Sequence, residues 1–170
     1  MSARPEIKGL HHAAYRCRDS ETTRQFYEDF LGLPLAATLV LEQTKTGRSC
    51  DALHTFYEMA DGSYIAFFEV PDMPYDFPEW HDFDLHIAVE VEEDFMMKML
   101  DKGKAEGRDP RGVADHDFIH SIYFRDPNGY VVELTTKQDN HEQRTDPDRN
   151  DARALLDQWQ ADKQADEPAS

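Results

Sequence analysis

Cysteine, long apolar runs and basic residues are all scarce in this sequence, and each scarcity argues against a class of protein. Only Cys17 and Cys50 are cysteines, and without a CxxC pair they indicate neither a zinc site nor a disulfide framework. No apolar run approaches the roughly 20 residues that cross a bilayer, and the first residues lack the apolar core of an export signal. We therefore expect a cytoplasmic protein without a membrane partner, in which both cysteines are core or edge residues.

The shortage of basic residues makes the chain strongly acidic. Asp and Glu number 35 against 18 Lys and Arg, which gives a formal net charge of -17. Such a field repels a phosphate backbone, so we expect no nucleic-acid partner. The hydrophobic fraction of 39%, with 11% aromatic residues, is that of a folded globule. A chain of 170 residues can build one domain with a real core, or two small fused modules.

Strand and helix patterns alternate from the start of the chain. Period-two alternation over residues 7–17 predicts a strand that places His11 and His12 on opposite faces. Asp19 or Ser20 then caps a helix, in which apolar residues recur at i, i+1, i+4 and i+5 before a glycine ends it. Three further strands are predicted at residues 35–41, 52–59 and 64–70.

The same order of elements occurs a second time after a break. Residues 71–83 contain three prolines and cannot continue a strand ladder, so they form an aromatic linker that we expect to lie across the domain. Residues 84–91 repeat the opening strand, with His86 at the place of His12, and a helix over about residues 92–105 follows. Three short strands complete the copy, near residues 112–113, 119–125 and 130–136.

The repeat predicts an α+β fold of two tandem βαβββ modules with a C-terminal helix. The domain limits are residues 1–70 for the first module, 71–83 for the linker, 84–136 for the second module and 137–170 for a polar tail. Within the tail we expect an exposed segment and then an amphipathic helix that docks on the domain or on a second subunit. The apolar residues of that helix are Ala152, Leu155, Leu156 and Trp159.

The last hairpin contains a carboxylate among apolar residues. The Asp126-Pro127-Asn128-Gly129 segment has the residues that a type I turn favours. Glu133 then interrupts the following strand between Val132 and Leu134. A carboxylate in this setting is costly unless it faces solvent, pairs with a cation or coordinates a metal.

Several short motifs follow one another in a fixed order over residues 7–136. They are His12 with Asp19 seven positions on, Phe26-Tyr27, Leu31-Gly32, His86-Ile-Ala-Val, and Tyr-Phe-Arg-Asp-Pro-Asn-Gly-Tyr-Val-Val-Glu133. This ordered set resembles the vicinal oxygen chelate superfamily, which includes glyoxalase I, extradiol dioxygenases, fosfomycin-resistance proteins and bleomycin-binding proteins. The resemblance implies an open mixed β-barrel in which His12, His86 and Glu133 bind one divalent metal. Two imidazoles and one carboxylate leave adjacent positions open for substrate or oxygen.

The resemblance to extradiol dioxygenases also implies catalytic residues. Tyr123 lies ten residues before Glu133, at the place of a tyrosine that in those enzymes stabilises a substrate oxygen or a dioxygen intermediate. Those enzymes carry acid-base histidines as well, for which His54, His116 and His120 are candidates. The predicted catalytic set is Tyr123, His120 and His54.

Glyoxalase I proteins differ by a fourth metal ligand on the last strand of the first module. Glu133 lies four residues after Gly129, and the same offset from Gly62 falls on Ala66. Glu69 lies three residues further on and is expected on the opposite face of its strand, unless a bulge intervenes. This difference argues against glyoxalase chemistry.

We therefore expect a dioxygenase of the extradiol type that uses Fe(II) and acts on a catechol-like small molecule, with Mn(II), Zn(II) or Ni(II) as alternative metals. The second hypothesis is a redox-neutral lyase, isomerase or thiol transferase, in which Arg16 or Arg125 could hold an anionic group. The third is a binding or resistance protein without turnover. We expect a homodimer, and the sequence is compatible with barrel halves from one chain or exchanged between two chains.

Overall fold

Two four-stranded sheets form the framework of the protein. The computed structural model describes residues 6–43, 47–81 and 83–166. The first sheet contains β1 (His12–Arg16), β2 (Leu35–Gln43), β3 (Ser49–Glu58) and β4 (Tyr64–Glu69), and the second contains β5 (His86–Glu90), β6 (Arg111–Asp115), β7 (Ile119–Arg125) and β8 (Val131–Lys137).

Both sheets have the same topology, as the sequence repeat predicts. The strand orders are β1-β4-β3-β2 and β5-β8-β7-β6. In each sheet the first strand pairs in parallel with the fourth, and the other pairs are antiparallel. The predicted α+β fold of tandem βαβββ modules is confirmed. Within the described residues the two sheets remain open and do not close into one barrel.

The first helix begins where the capping pattern predicts. Asp19 is the N-cap of α1 (Ser20–Arg24), and its carboxylate accepts a 2.7 Å hydrogen bond from the Thr22 amide. The helix continues through a wider π-helical turn, Gln25–Phe30, and Gly32 follows it with a φ of 84°. The other helices are α2 (Glu93–Ala105), α3 (His141–Thr145) and α4 (Ala152–Asp166).

The C-terminal helix differs from the prediction in its contacts. All side chains of α4 from residue 152 to residue 163 are exposed, and the exposed fractions are 69% for Leu155, 50% for Leu156 and 65% for Trp159. The helix therefore does not dock on its own domain, and docking on a second subunit stays a prediction. No helix in the described part of the chain is long and apolar enough to cross a membrane.

The core lies where the helix-covered faces of the two sheets meet. The Phe30 ring of the first module packs against Phe124 of the second, with ring centroids 5.2 Å apart, and Lys102 Nζ donates a 2.8 Å hydrogen bond to the Phe30 carbonyl. Because these faces turn toward each other, the opposite face of each sheet is left to form a site. The core residues include Phe26, Tyr27, Tyr57, Phe67, Met96, Ile122, Val132 and Leu134.

The turn between β7 and β8 ties the second module to the first. Asp126 is 5% exposed, and its carboxylate accepts hydrogen bonds from the amides of Asn128 and Tyr130 and from the Tyr27 hydroxyl. The Asn128 side chain in turn accepts from the Arg18 amide at 2.8 Å and donates to Thr23 at 3.2 Å. Burial raises the pKa of Asp126, which shows that the cost of desolvation exceeds the effect of its donors.

Asp126→Ala should lower the free energy of unfolding by about 1–3 kcal/mol, because it leaves buried donors without an acceptor. The measurement is urea unfolding followed by circular dichroism, at pH 7. Asp101→Ala, an exposed position on α2, is the matched control and should change stability by less than about 0.5 kcal/mol. Equal stability of the two variants would contradict the role of the turn.

Candidate functional site

Glu133 lies on the outer face of the second sheet, together with His86 and Tyr123. Its side chain is buried, and Oε2 is 3.3 Å from His86 Nε2. Tyr123 is the partner of Glu133 across the β7–β8 pair, and its hydroxyl donates to Oε1 at 3.3 Å. Both oxygens of the predicted carboxylate ligand thus have a polar neighbour, and two of the three predicted metal ligands lie side by side.

His116 extends this group of side chains beyond Tyr123. It lies in the turn after β6, and its Nε2 is 2.7 Å from the Tyr123 hydroxyl. A hydroxyl has one proton to donate and can also accept, so a proton can pass between His116 and Tyr123. His116 is exposed, so the hydrogen-bonded series Glu133–Tyr123–His116 ends at solvent.

His120 is not part of this group. Strand alternation in β7 places it on the face opposite Tyr123, and its Nε2 lies 3.6 Å from Asp115 Oδ1. Of the two histidines before the hairpin, His116 contacts Tyr123 and the predicted catalytic His120 contacts Asp115 instead. The parity of His120 relative to Tyr123 could have excluded it from the sequence alone.

The outer face of the first sheet carries His12 and His54. The two imidazole rings have centroids 6.2 Å apart, although 42 positions separate them in the sequence. The His12 ring also meets Phe56 at 5.5 Å, and His54 stacks on Phe68 at 3.6 Å with an interplanar angle of 11°. This face therefore joins two imidazoles to an aromatic wall.

The proton of His54 is fixed by a backbone contact. Its Nδ1 is 3.0 Å from the carbonyl oxygen of Phe67, which can only accept, so Nδ1 carries the proton and Nε2 keeps a lone pair. Burial lowers the pKa of His54 because it penalises the charged form. His54 is thus a neutral imidazole with Nε2 available as a proton acceptor.

Two small residues lie on the same face of the first sheet as His12 and His54. Ala14 pairs with Ala66 in the β1–β4 ladder, on the His12 face, and Ala66 is fully buried. Glu69 lies on the opposite face, as the alternation predicts, and its Oε2 accepts a 2.7 Å hydrogen bond from the Ser20 amide. No carboxylate therefore occupies the place of a fourth ligand at residue 66.

The two arginines proposed for an anionic group have backbone partners. Arg16 donates to the carbonyls of Val70 and Met73 at 3.2 and 2.8 Å, and its guanidinium lies 5.3 Å from the centre of the Tyr75 ring. Arg125 donates to the Gly129 carbonyl at 3.0 Å. Arg16 thus holds the linker against β1, which agrees with a linker that lies across the domain.

Among the residues that the structure describes, the single chain does not bring His12 together with His86 and Glu133. A cavity of about 400 Å³ opens beside Glu133, and its lining comes only from the linker and the second module. Within the described residues, no group of three or more His, Cys, Asp or Glu side chains is close enough to hold a metal ion. The cavity is lined by Phe83, His86, Ala114, His116, Ile119, Tyr123 and Glu133.

Comparison with known proteins identifies the family. The model of the glyoxalase/bleomycin resistance protein/dioxygenase superfamily matches residues 9–134, so the chain belongs to this superfamily. The tail that contains α3 and α4 lies outside the matched region.

Solved structures of that superfamily share the fold at low sequence identity. A glyoxalase/dioxygenase from Nostoc punctiforme is 19% identical and has a TM-score of 0.60, over 82% of this chain and 97% of that one. TnmS3, an antibiotic binding protein from Streptomyces sp. CB03234, is 17% identical, with a TM-score of 0.57 over 79% and 99%. A variant of the fosfomycin resistance protein FosX from Listeria monocytogenes, complexed with Mn(II) and a dihydroxypropylphosphonic acid, is 21% identical, with a TM-score of 0.51 over 75% and 91%.

Because His54 is buried and neutral, we expect the free energy of unfolding to decrease as the pH falls. Its pKa lies below the ordinary 6.5 in the folded protein, so the unfolded chain takes up the proton first as the pH falls. The free energy of unfolding should therefore fall from about pH 6.5 down to the depressed pKa, and His54→Gln should weaken this dependence. NMR titration of the His54 ring proton measures the pKa directly, and a midpoint at or above 6.5 would contradict the assignment.

Proposed function

We propose that the chain is a mononuclear metal-dependent dioxygenase of the extradiol type that acts on a catechol-like small molecule. The observation that carries the proposal is the position of the Tyr123 hydroxyl, between the carboxylate of Glu133 and the imidazole of His116. It places a proton-donating group beside the one carboxylate of the proposed metal site and gives that group its own connection to solvent. The neutral His54 supports the proposal from the other sheet.

His12, His86 and Glu133 would hold the metal. The chemistry of these donors fits Fe(II) and also Mn(II), because two imidazole nitrogens and one carboxylate oxygen suit both ions and leave positions open. A bound Fe(II) would supply a Lewis acid for two substrate oxygens and a centre at which O2 reacts. The Mn(II) complex of a FosX variant shows that this fold holds a divalent metal in a relative.

The remaining polar side chains would move and hold protons. His54 Nε2 would accept the proton of one substrate hydroxyl, because burial favours the neutral imidazole and the Phe67 carbonyl holds its proton on Nδ1. Tyr123 would donate a hydrogen bond to a substrate oxygen, and His116 would exchange that proton with solvent. The alanines at 14 and 66 place no polar group on the His12 face of the first sheet.

The first sheet favours a planar, apolar substrate. The stacked pair of His54 and Phe68 presents a flat surface, and Phe56 and Tyr64 meet edge to face at 6.0 Å nearby. Aromatic rings offer a catechol ring stacking and edge contacts, while polar groups at the far side orient its oxygens.

The proposal includes a homodimer in which each site uses both sheets, one from each chain. His12 and His54 lie on one outer face and His86 and Glu133 on the other, and a second copy would bring opposite faces together.

Metal binding and oxygen consumption test the proposal together. The protein purified without oxygen should bind about one divalent ion per chain, and His12→Ala and Glu133→Ala should each abolish tight binding. The iron-loaded protein should consume oxygen with catechols, followed with an oxygen electrode. A Glu133→Ala variant that binds metal as tightly as the wild type would overturn the proposed site.

The same two variants test whether the site is shared between chains. An equal mixture, after unfolding and refolding to exchange chains, should recover about a quarter of the wild-type metal sites. The reason is that half of the dimers would be mixed, and each mixed dimer would contain one intact site of two. No recovery, with proper refolding shown by circular dichroism, would place the site within one chain.

Tyr123→Phe should reduce kcat by about 10² while the affinity for Mn(II) stays within a few-fold, because it removes a proton donor and leaves the metal ligands intact. His116→Gln should also reduce kcat. His120→Gln, on the opposite face, is the matched control and should leave kcat within about twofold. A loss for His120→Gln equal to that for Tyr123→Phe would contradict the assignment of faces.

Two alternative functions remain outcomes of these measurements. A metal-loaded protein that binds catechols without consuming oxygen would favour the second hypothesis, a redox-neutral lyase, isomerase or thiol transferase. A protein that binds aromatic ligands without metal would be a binding protein, as TnmS3 is described.

A further inference from the structure

We infer that His11 is a positioning residue that fixes the proton of His12, an inference that rests on the proposed metal role of His12. The Nδ1 atoms of the two imidazoles are 2.8 Å apart. The rings meet edge to face, with centroids 5.1 Å apart and an interplanar angle of 79°. Two ring nitrogens at this distance share one proton, so one ring donates and the other accepts.

His12 is the donor in the arrangement that binds metal. When its Nδ1 carries the proton, its Nε2 keeps the lone pair that a metal ligand needs. In the reverse arrangement Nε2 of a neutral His12 carries the proton and cannot coordinate. Metal-binding histidines usually donate their second N–H to a carboxylate, a carbonyl or water. Here the acceptor is a second imidazole.

His11 is itself held in place by the neighbouring strand. Its carbonyl accepts a 2.9 Å hydrogen bond from the Tyr64 amide, and its ring lies 5.7 Å from the Tyr64 ring. Tyr64 is also the β4 partner of His12. One residue of β4 therefore positions both histidines, and the orientation of His12 follows from the sheet as well as from its own backbone.

Strand alternation separates the roles of the two histidines. It argues against His11 as a metal ligand, since adjacent strand residues point to opposite faces. At the beginning of β1 the two rings nevertheless meet through Nδ1. His11 therefore acts on the metal through His12.

The test uses the titration of Mn(II) into the metal-free protein by calorimetry. His11→Leu removes the acceptor and should weaken Mn(II) binding by about 10–100-fold. His11→Asn keeps an acceptor, since its Oδ1 is attached at the same place as the Nδ1 of histidine, and should stay within about threefold of the wild type. His141→Leu, on α3 outside the site, controls for the loss of a surface imidazole and should have no effect.

A second measurement needs no metal. Long-range proton–nitrogen NMR correlations at pH 8 should show His12 protonated on Nδ1 in the wild type and in His11→Asn, and a mixture of tautomers in His11→Leu. Tight Mn(II) binding by His11→Leu, or His12 protonated on Nε2 in the wild type, would overturn the inference. A wild type that shows the expected tautomer and binds no Mn(II) would confirm that His11 fixes the proton of His12 and would refute the proposed metal site, so the two failures are distinguishable.

Discussion

The buried carboxylate of Asp126 is the constraint on which both the fold and the candidate site depend. Its oxygens accept hydrogen bonds from two amides of its own turn and from the hydroxyl of Tyr27, which belongs to the first module. The same turn sets the pairing of β7 with β8. Because side chains alternate with a period of two, a slip of one residue would move Tyr123 away from the face of Glu133.

The packing of the modules explains why each sheet carries half a site. The helices pack on one face of each sheet, and these faces form one core. The outer faces, which carry the candidate site residues, therefore cannot also face each other within the chain. His12 and His54 consequently lie on one outer face, and His86 and Glu133 lie on the other. This arrangement is the reason why the proposed site is assigned to two copies of the chain.

The sequence predicts the two βαβββ modules well, because helix caps and hydrophobic periodicity depend on residues that are close in the sequence. Asp19 begins α1 as its capping chemistry indicates, and the helix-to-strand order recurs in both modules. The parity of Ala66 and Glu69 was also readable, since β4 runs without a bulge in its described pairing. These features depend on residues close in sequence, for which period and capping rules suffice.

The features that were not predicted depend on how strands and loops are placed in three dimensions. The sequence left His54, His116 and His120 as candidates, and the contact of His116 with Tyr123 is made across the β6–β7 turn, next to a strand whose register shifts between Gly112 and Ala114. The proximity of His54 to His12 arises from a strand order that no local pattern encodes. The exposure of α4 likewise depends on which surfaces remain free after the core forms.

The paired Ala14 and Ala66 on the first sheet also bear on how the number of metal ligands can change in evolution. A carboxylate at residue 66 would stand on the same face as His12, and a single nucleotide change converts an alanine codon of the GCA or GCG type into one for glutamate. The number of protein ligands around the proposed metal is thus one mutation away from changing. Lineages with this framework could exchange an open coordination sphere for a filled one without altering any helix, strand or turn.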